Sequence, residues 1–183
     1  MVMLADWLLA QGKRVAILSR GDRRTRTDPC LLVSDGERLL VGPNEAGDEP
    51  FLMAQRCPKA IVAVGADRYG LGDWVLNRFP IDCLVLDDGF QHLGLYRDVN
   101  LLLVDATDAE GLSALVPAGR LREPLPAAAR ATAIAANAWA RMPPFMSVEP
   151  RPQTRSSPIL PLNGDPLFQF AGSPPGTTST WPL

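Results

Sequence analysis

The sequence predicts an α/β domain built on a mostly parallel sheet flanked by helices, and three observations carry that reading. Four short, continuous apolar runs recur along the chain, at 14–19, 60–65, 82–88 and 100–106. None alternates polar with apolar residues, so each predicts a strand buried on both faces. Helix-forming segments separate several of them, which is the alternation that builds parallel crossovers. With 183 residues and 46% apolar content, the chain has enough material for one domain core.

Taken in order, residues 2–12 put Met3, Leu4, Trp7, Leu8 and Leu9 on a helical face, with Gly12 as the stop. "RVAILS" at 14–19 is the first strand, and the charged "RGDRRTRTDP" after it is a loop. "CLLVSDGERLLV" at 30–41 predicts a hairpin around Asp35-Gly36. Turn residues open "GPNEAGDEPFLMAQRC", and a helix follows from about Glu49, with Pro50 tolerated in its first turn. "AIVAVG" at 60–65 is a buried strand, and "DRYGLGDWVLNRF" a helix weakened by two glycines. "DCLVLDD" at 82–88 and "NLLLVDA" at 100–106 are strands that both end in aspartate. The α/β domain is expected over residues 1–135. Residues 141–183 hold ten of the 18 prolines. Proline removes backbone donors and forbids helix interiors, so 136–183 is expected to be a Pro-rich, disordered tail.

Charge and cysteine content narrow the function classes. Eighteen basic against 20 acidic residues leave a net charge of −2, with no basic excess to suggest a nucleic-acid partner. Cys30, Cys57 and Cys83 are scattered, as in a reduced intracellular protein rather than a disulfide scaffold. One histidine and no C-x-x-C pair argue against structural zinc. No run reaches the about 20 apolar residues of a membrane-spanning helix, and the first residues do not have the pattern of a secretory leader.

In a parallel sheet, ligands bind in the crevice at the carboxyl ends of the strands. Asp87-Asp88 and Asp105 are expected there. Two adjacent carboxylates raise each other's pKa, and a divalent cation carrying phosphate oxygens would neutralise them. That is the Walker-B arrangement of phosphoryl-transfer enzymes. Asp-Asp-Gly is equally the chemistry of a strand-ending turn, and Gly89 suits both. Asp48 and Glu49 fall where a helix starts, a position that favours carboxylates through the helix dipole. They could alternatively prepare a hydroxyl nucleophile. Arg120 and Arg122, next to Glu123 in "AGRLREPL", and Arg20 after the first strand could clamp phosphates, or the segment could be a solvated surface turn. His92, the one histidine, suits a hydrogen-bonded turn as well as a ligand. No G-x-x-x-x-G-K-[ST] loop occurs within the 183 residues, and the two lysines, Lys13 and Lys59, lie outside glycine-rich loops.

"RVAILSRG", "AGDEP", "LDDGFQHLGLYRDVNLLLVDA" and "PAGRLREPL" stand in the order and spacing of the tetraacyldisaccharide 4'-kinases, the lipid A 4'-kinases of Gram-negative bacteria. The chain resembles that family over about residues 1–133. The resemblance implies a P-loop-kinase-like fold that uses ATP and Mg²⁺. The implied reaction moves the γ-phosphate onto the 4'-hydroxyl of a lipid A disaccharide 1-phosphate, at the cytoplasmic face of the inner membrane. It implies Asp48 as the catalytic carboxylate with Glu49 beside it, and Asp87 and Asp88 as the magnesium pair. Arg20, Gln91, His92, Arg122 and Glu123 become lining of the substrate and phosphate site.

The resemblance departs at several points. The family's Gly-Gly-Thr-Gly-Lys-Thr type loop and amino-terminal anchor have no counterpart here. After "SRG" this chain has Asp22-Arg23 where the family has Tyr-Gly, and no histidine follows His92 to partner the catalytic carboxylate. The expectation is therefore a fragment of such a kinase, with a shifted reading frame after about residue 135, inactive alone. The alternatives are a non-catalytic remnant that binds a partner, or a phosphohydrolase. The first helix could touch a membrane through Met3, Trp7 and Leu8, but packing of that face on the sheet is the favoured reading.

Overall fold

The computed structural model describes residues 1–105, 111 and 113–136. The predicted tail beyond them lies outside the described residues. Helix α1 (Val2–Ala10) buries Ala5 and Leu8 while Met3 stays 86% exposed, so packing claims only part of the predicted face. Gly12, at φ +75, turns the chain out of the helix into strand β1 (Val15–Ser19). All five residues of β1 are buried, which is why the run carries no polar alternation.

The main sheet contains β2 (Leu31–Asp35), β3 (Ile61–Val64), β1 and β4 (Cys83–Leu86), in that order. β1 runs parallel to both neighbours, with Ile17 opposite Val62 on one side and Val85 on the other. β2 is antiparallel to β3, with a register shift between Leu32 and Ser34. At the amino ends, Arg14 donates to the Asp82 carboxylate from its backbone N at 2.8 Å, Nε at 2.9 Å and Nη2 at 2.6 Å, tying β1 to β4. These bonds hold the Asp82 carboxyl well below the usual carboxylate range.

The hairpin expected at 30–41 shrinks to a turn. Asp35 Oδ1 accepts from the backbone N of Glu37 and Arg38, and the returning arm makes a single bridge, Leu39 to Ser34. Pro43 then opens the one-turn helix α2 (Pro43–Ala46), so the arm has no length to extend. Gly47, at φ +93, links α2 to α3 (Asp48–Arg56). A Cβ there would stand 2.9 Å from the Asp22 carbonyl oxygen. Asp48 and Glu49 occupy the first turn of α3 and Arg56 the last, both favourable to the helix dipole.

Helix α4 (Arg68–Leu76) is capped by Asp67, whose Oδ1 accepts from Tyr69 N at 3.0 Å. Its inner residues Leu71 and Val75 pack with Ala16, Leu18, Ile61, Ala63 and Ile81.

A further expectation is corrected. The fourth apolar run, β5 (Leu101–Val104), does not join the main sheet; it pairs in parallel with β6 (Ala133–Ala136) in a separate two-stranded sheet. The cause lies at Asn100. Its backbone N donates to Thr132 Oγ1, and its carbonyl accepts from Thr132 N and Ala133 N, which starts β5 beside β6. Asp105 therefore does not end a strand of the main sheet.

The loop after β1 carries a conformational cost. Arg23 sits at φ +60, a region that penalises a side chain and suits glycine. Arg23→Gly is expected to raise the unfolding free energy by about 0.5–1 kcal/mol, measured by urea denaturation.

Candidate active site

Because β3, β1 and β4 are parallel neighbours, their carboxyl ends meet at one edge. Backbone bonds lock that edge: Gly65 N donates to Ser19 O at 3.0 Å, and Asp87 N donates to Leu18 O at 2.9 Å. The loops after the three strands wall a cavity of about 270 Å³. Three guanidinium groups (Arg20, Arg68, Arg122) and four carboxylates (Asp22, Glu49, Asp87, Asp88) line it, with Gln91 and His92.

The adjacent acids Asp87 and Asp88 face different partners, which is how the fold accommodates two neighbouring negative charges. Asp87 is half-buried, and its Oδ2 accepts from Ser19 Oγ at 2.9 Å. Asp88 is exposed, in the left-handed region at φ +48, and its Oδ2 lies 2.6 Å from Arg122 Nη1. The Asp88 carboxylate raises the Arg122 pKa above its ordinary value by accepting that hydrogen bond. After Gly89 the chain is pinned by Arg97, whose Nη1 donates to the carbonyls of Gly89 and His92 and whose Nε donates to Asn100 Oδ1.

Sequence reasoning passes over Arg68. It is 7% exposed, its Nη1 donates to Gly65 O at 2.7 Å and Ala66 O at 3.3 Å, and its buried Nε has no partner. Burial pushes its pKa down, as does Arg20, while Asp87, Asp22 and Asp88 oppose that. The missed signal is positional: Arg68 follows β3 as Arg20 follows β1 and Asp87 follows β4. A carboxyl end that carries an arginine in the next few residues marks the same crevice.

Two predicted residues fall outside the lining. Asp48, exposed on the first turn of α3, is not among the wall residues, whereas Glu49 is. Arg130 Nη2 donates to both carboxylate oxygens of Glu123, at 2.9 and 2.8 Å, and Arg130 lies 4.8 Å from the Phe90 ring centroid. Among the described residues, no group of three or more His, Cys, Asp or Glu side chains is placed to hold a metal. Asp87 and Asp88 still offer a partial donor set of hard oxygens, which suits Mg²⁺, an ion that takes one or two carboxylates and completes its shell with phosphate and water.

Comparison with known proteins places the chain among relatives of one family. The family model described as LpxK, tetraacyldisaccharide-1-P 4'-kinase, matches residues 1–165. A tetraacyldisaccharide 4'-kinase from Pelobacter propionicus is 41% identical over 147 residues, covering 80% of this chain and 41% of that protein. One from Aquifex aeolicus is 46% identical over 131 residues, covering 72% and 40%. The crystal structure of the "apo" form of LpxK from Aquifex aeolicus in complex with ATP superposes with a TM-score of 0.68 at 41% identity. That match covers 86% of this chain and 46% of the crystallised one. The chain thus spans less than half the length of these relatives. Over the part it spans, it belongs to the tetraacyldisaccharide-1-P 4'-kinase family.

Proposed function

We propose that the chain forms the catalytic-carboxylate and metal-binding part of a lipid A 4'-kinase. The reaction is transfer of the ATP γ-phosphate to the 4'-hydroxyl of a tetraacyldisaccharide 1-phosphate. The observation that carries the reading is the cavity at the joined ends of β1, β3 and β4, where three guanidinium groups face Asp87 and Asp88. Arg20, Arg68 and Arg122 supply the positive charge that binds phosphate oxygens. Asp87 and Asp88 would hold Mg²⁺, which when bound supplies charge neutralisation to the phosphates. Asp48 accepts the proton of the sugar hydroxyl, and its place beside Glu49, on the helix turn that borders the cavity, supports that role. Gln91 and His92 line the site, and Glu123 supports it through Arg130.

The proposed place of work is the cytoplasmic face of the inner membrane. Among the described residues no helix is long and apolar enough to cross a membrane. Exposed Met3 and Trp7 on α1 support contact with a lipid surface.

Calorimetric titration with ATP and Mg²⁺ tests the reading. Binding is expected, and Asp88→Asn should weaken it severalfold; unchanged affinity in that variant overturns the assignment. In an assay with disaccharide 1-phosphate, ATP and Mg²⁺, these 183 residues alone are expected to give no turnover. They contain no glycine-rich lysine loop to donate to a developing phosphoryl charge, an interaction worth several kcal/mol. Turnover above an Asp48→Ala control would contradict that expectation.

A further inference from the structure

Within the walls of the cavity, one neutral side chain is held more rigidly than any proposed function requires of it. Ser19 ends β1, an interior strand of the sheet, and is 4% exposed. Its carbonyl accepts from Gly65 N, and the residue before it accepts from Asp87 N, so backbone bonds to both neighbouring strands fix its position. A buried hydroxyl must find a partner or forfeit its hydration. This one donates to a single acceptor, Asp87 Oδ2, at 2.9 Å. The other carboxylate oxygen, Oδ1, takes no hydrogen bond among the described residues.

We propose that Ser19 is a positioning residue for divalent-cation binding: it pins one oxygen of Asp87 so that the other is presented to the cation as a ligand. The inference rests on the reading of Asp87 and Asp88 as the metal pair. It also divides labour between them. Asp88 is exposed and bound by an exposed arginine, so a cation can compete for it at small cost. Asp87 is oriented from behind by a group that cannot move, as outer-shell hydrogen bonds orient ligands at metal centres generally. A carboxylate free to rotate has first to lose that freedom on binding, and Ser19 removes the loss in advance.

The test uses Mn²⁺ as the probe, with free ion counted by electron paramagnetic resonance, on the full chain and on S19A, S19C and S19T. Melting midpoints of the metal-free proteins report folding separately. S19A is expected to lose about tenfold in Mn²⁺ affinity, within the range seen when outer-shell partners are removed. S19T keeps a hydroxyl and is expected to stay within about threefold of the unaltered chain. S19C fills the same space with a weak donor and carries the expectation for S19A should the alanine variant not fold. Unchanged affinity in folded S19A or S19C overturns the inference and leaves the metal pair standing. A loss in S19T as large as in S19A, with an unaltered melting midpoint, also overturns it. If the unaltered chain fails to bind Mn²⁺, the metal reading falls and takes this inference with it.

Discussion

Truncating Leu71 to alanine is expected to lower the unfolding free energy by about 3 kcal/mol, a large share of the stability of a domain this size. Leu71 is fully buried on the inner face of α4, against the sheet residues Ala16, Leu18 and Ala63. Part of the cost is the apolar surface returned to water, and part is the void left behind. The void cannot close easily. Leu71 packs toward Gly65, where a Cβ would stand 3.2 Å from its Cδ1 and 2.5 Å from the Pro29 carbonyl oxygen, so the backbone here is already at its limit of approach. Urea denaturation should show the midpoint falling with an unchanged slope. The control is Leu52→Ala on α3, 51% exposed, for which less than about 1 kcal/mol is expected. Equal losses at the two positions would mean that α4 does not pack as described.

Local sequence shows this core clearly because the physics is local. A run such as "VAIL" with no polar residue reads as a strand covered on both sides, and β1 is an interior strand of the sheet. Gly12 and Asp67 likewise mark the end of one helix and the start of another by backbone freedom and capping. What the pattern leaves open is partner choice. "LLLV" at β5 reads the same as "CLVL" at β4, yet only β4 pairs with β1; the hydrogen bonds of Asn100 to Thr132, 32 residues away, decide the difference. The site divides in the same way. Arg20, Asp87 and Asp88 were legible because a strand end announces them, and the partners of the two acids were not. Ser19 and Arg122 reach Asp87 and Asp88 from 68 and 34 residues away, separations over which no spacing rule operates. The hairpin failed for a reason that was in view: Pro43 stands too close behind it.

Arg68→Met is expected to weaken binding of ATP at least tenfold while changing the unfolding free energy by no more than about 1 kcal/mol. The two halves of that expectation come from one observation. A guanidinium that is 7% exposed has lost most of its hydration, and its Nε recovers no hydrogen bond. Its remaining bonds go to the carbonyls of Gly65 and Ala66, and at Ala66, which lines the cavity, water can take its place. Methionine fills a similar volume without a charge to desolvate, and such exchanges of buried ions for apolar groups are often neutral in stability. An anion, by contrast, gains most from a cation that is poorly hydrated beforehand. Calorimetry with ATP and a urea melt of the same variant separate the effects. A loss of stability with full retention of binding would make Arg68 a structural strut of the β3–α4 turn and remove it from the phosphate site. Loss of binding in a protein that melts normally would put the buried arginine, which follows β3 on one side of Arg20, at the centre of anion recognition.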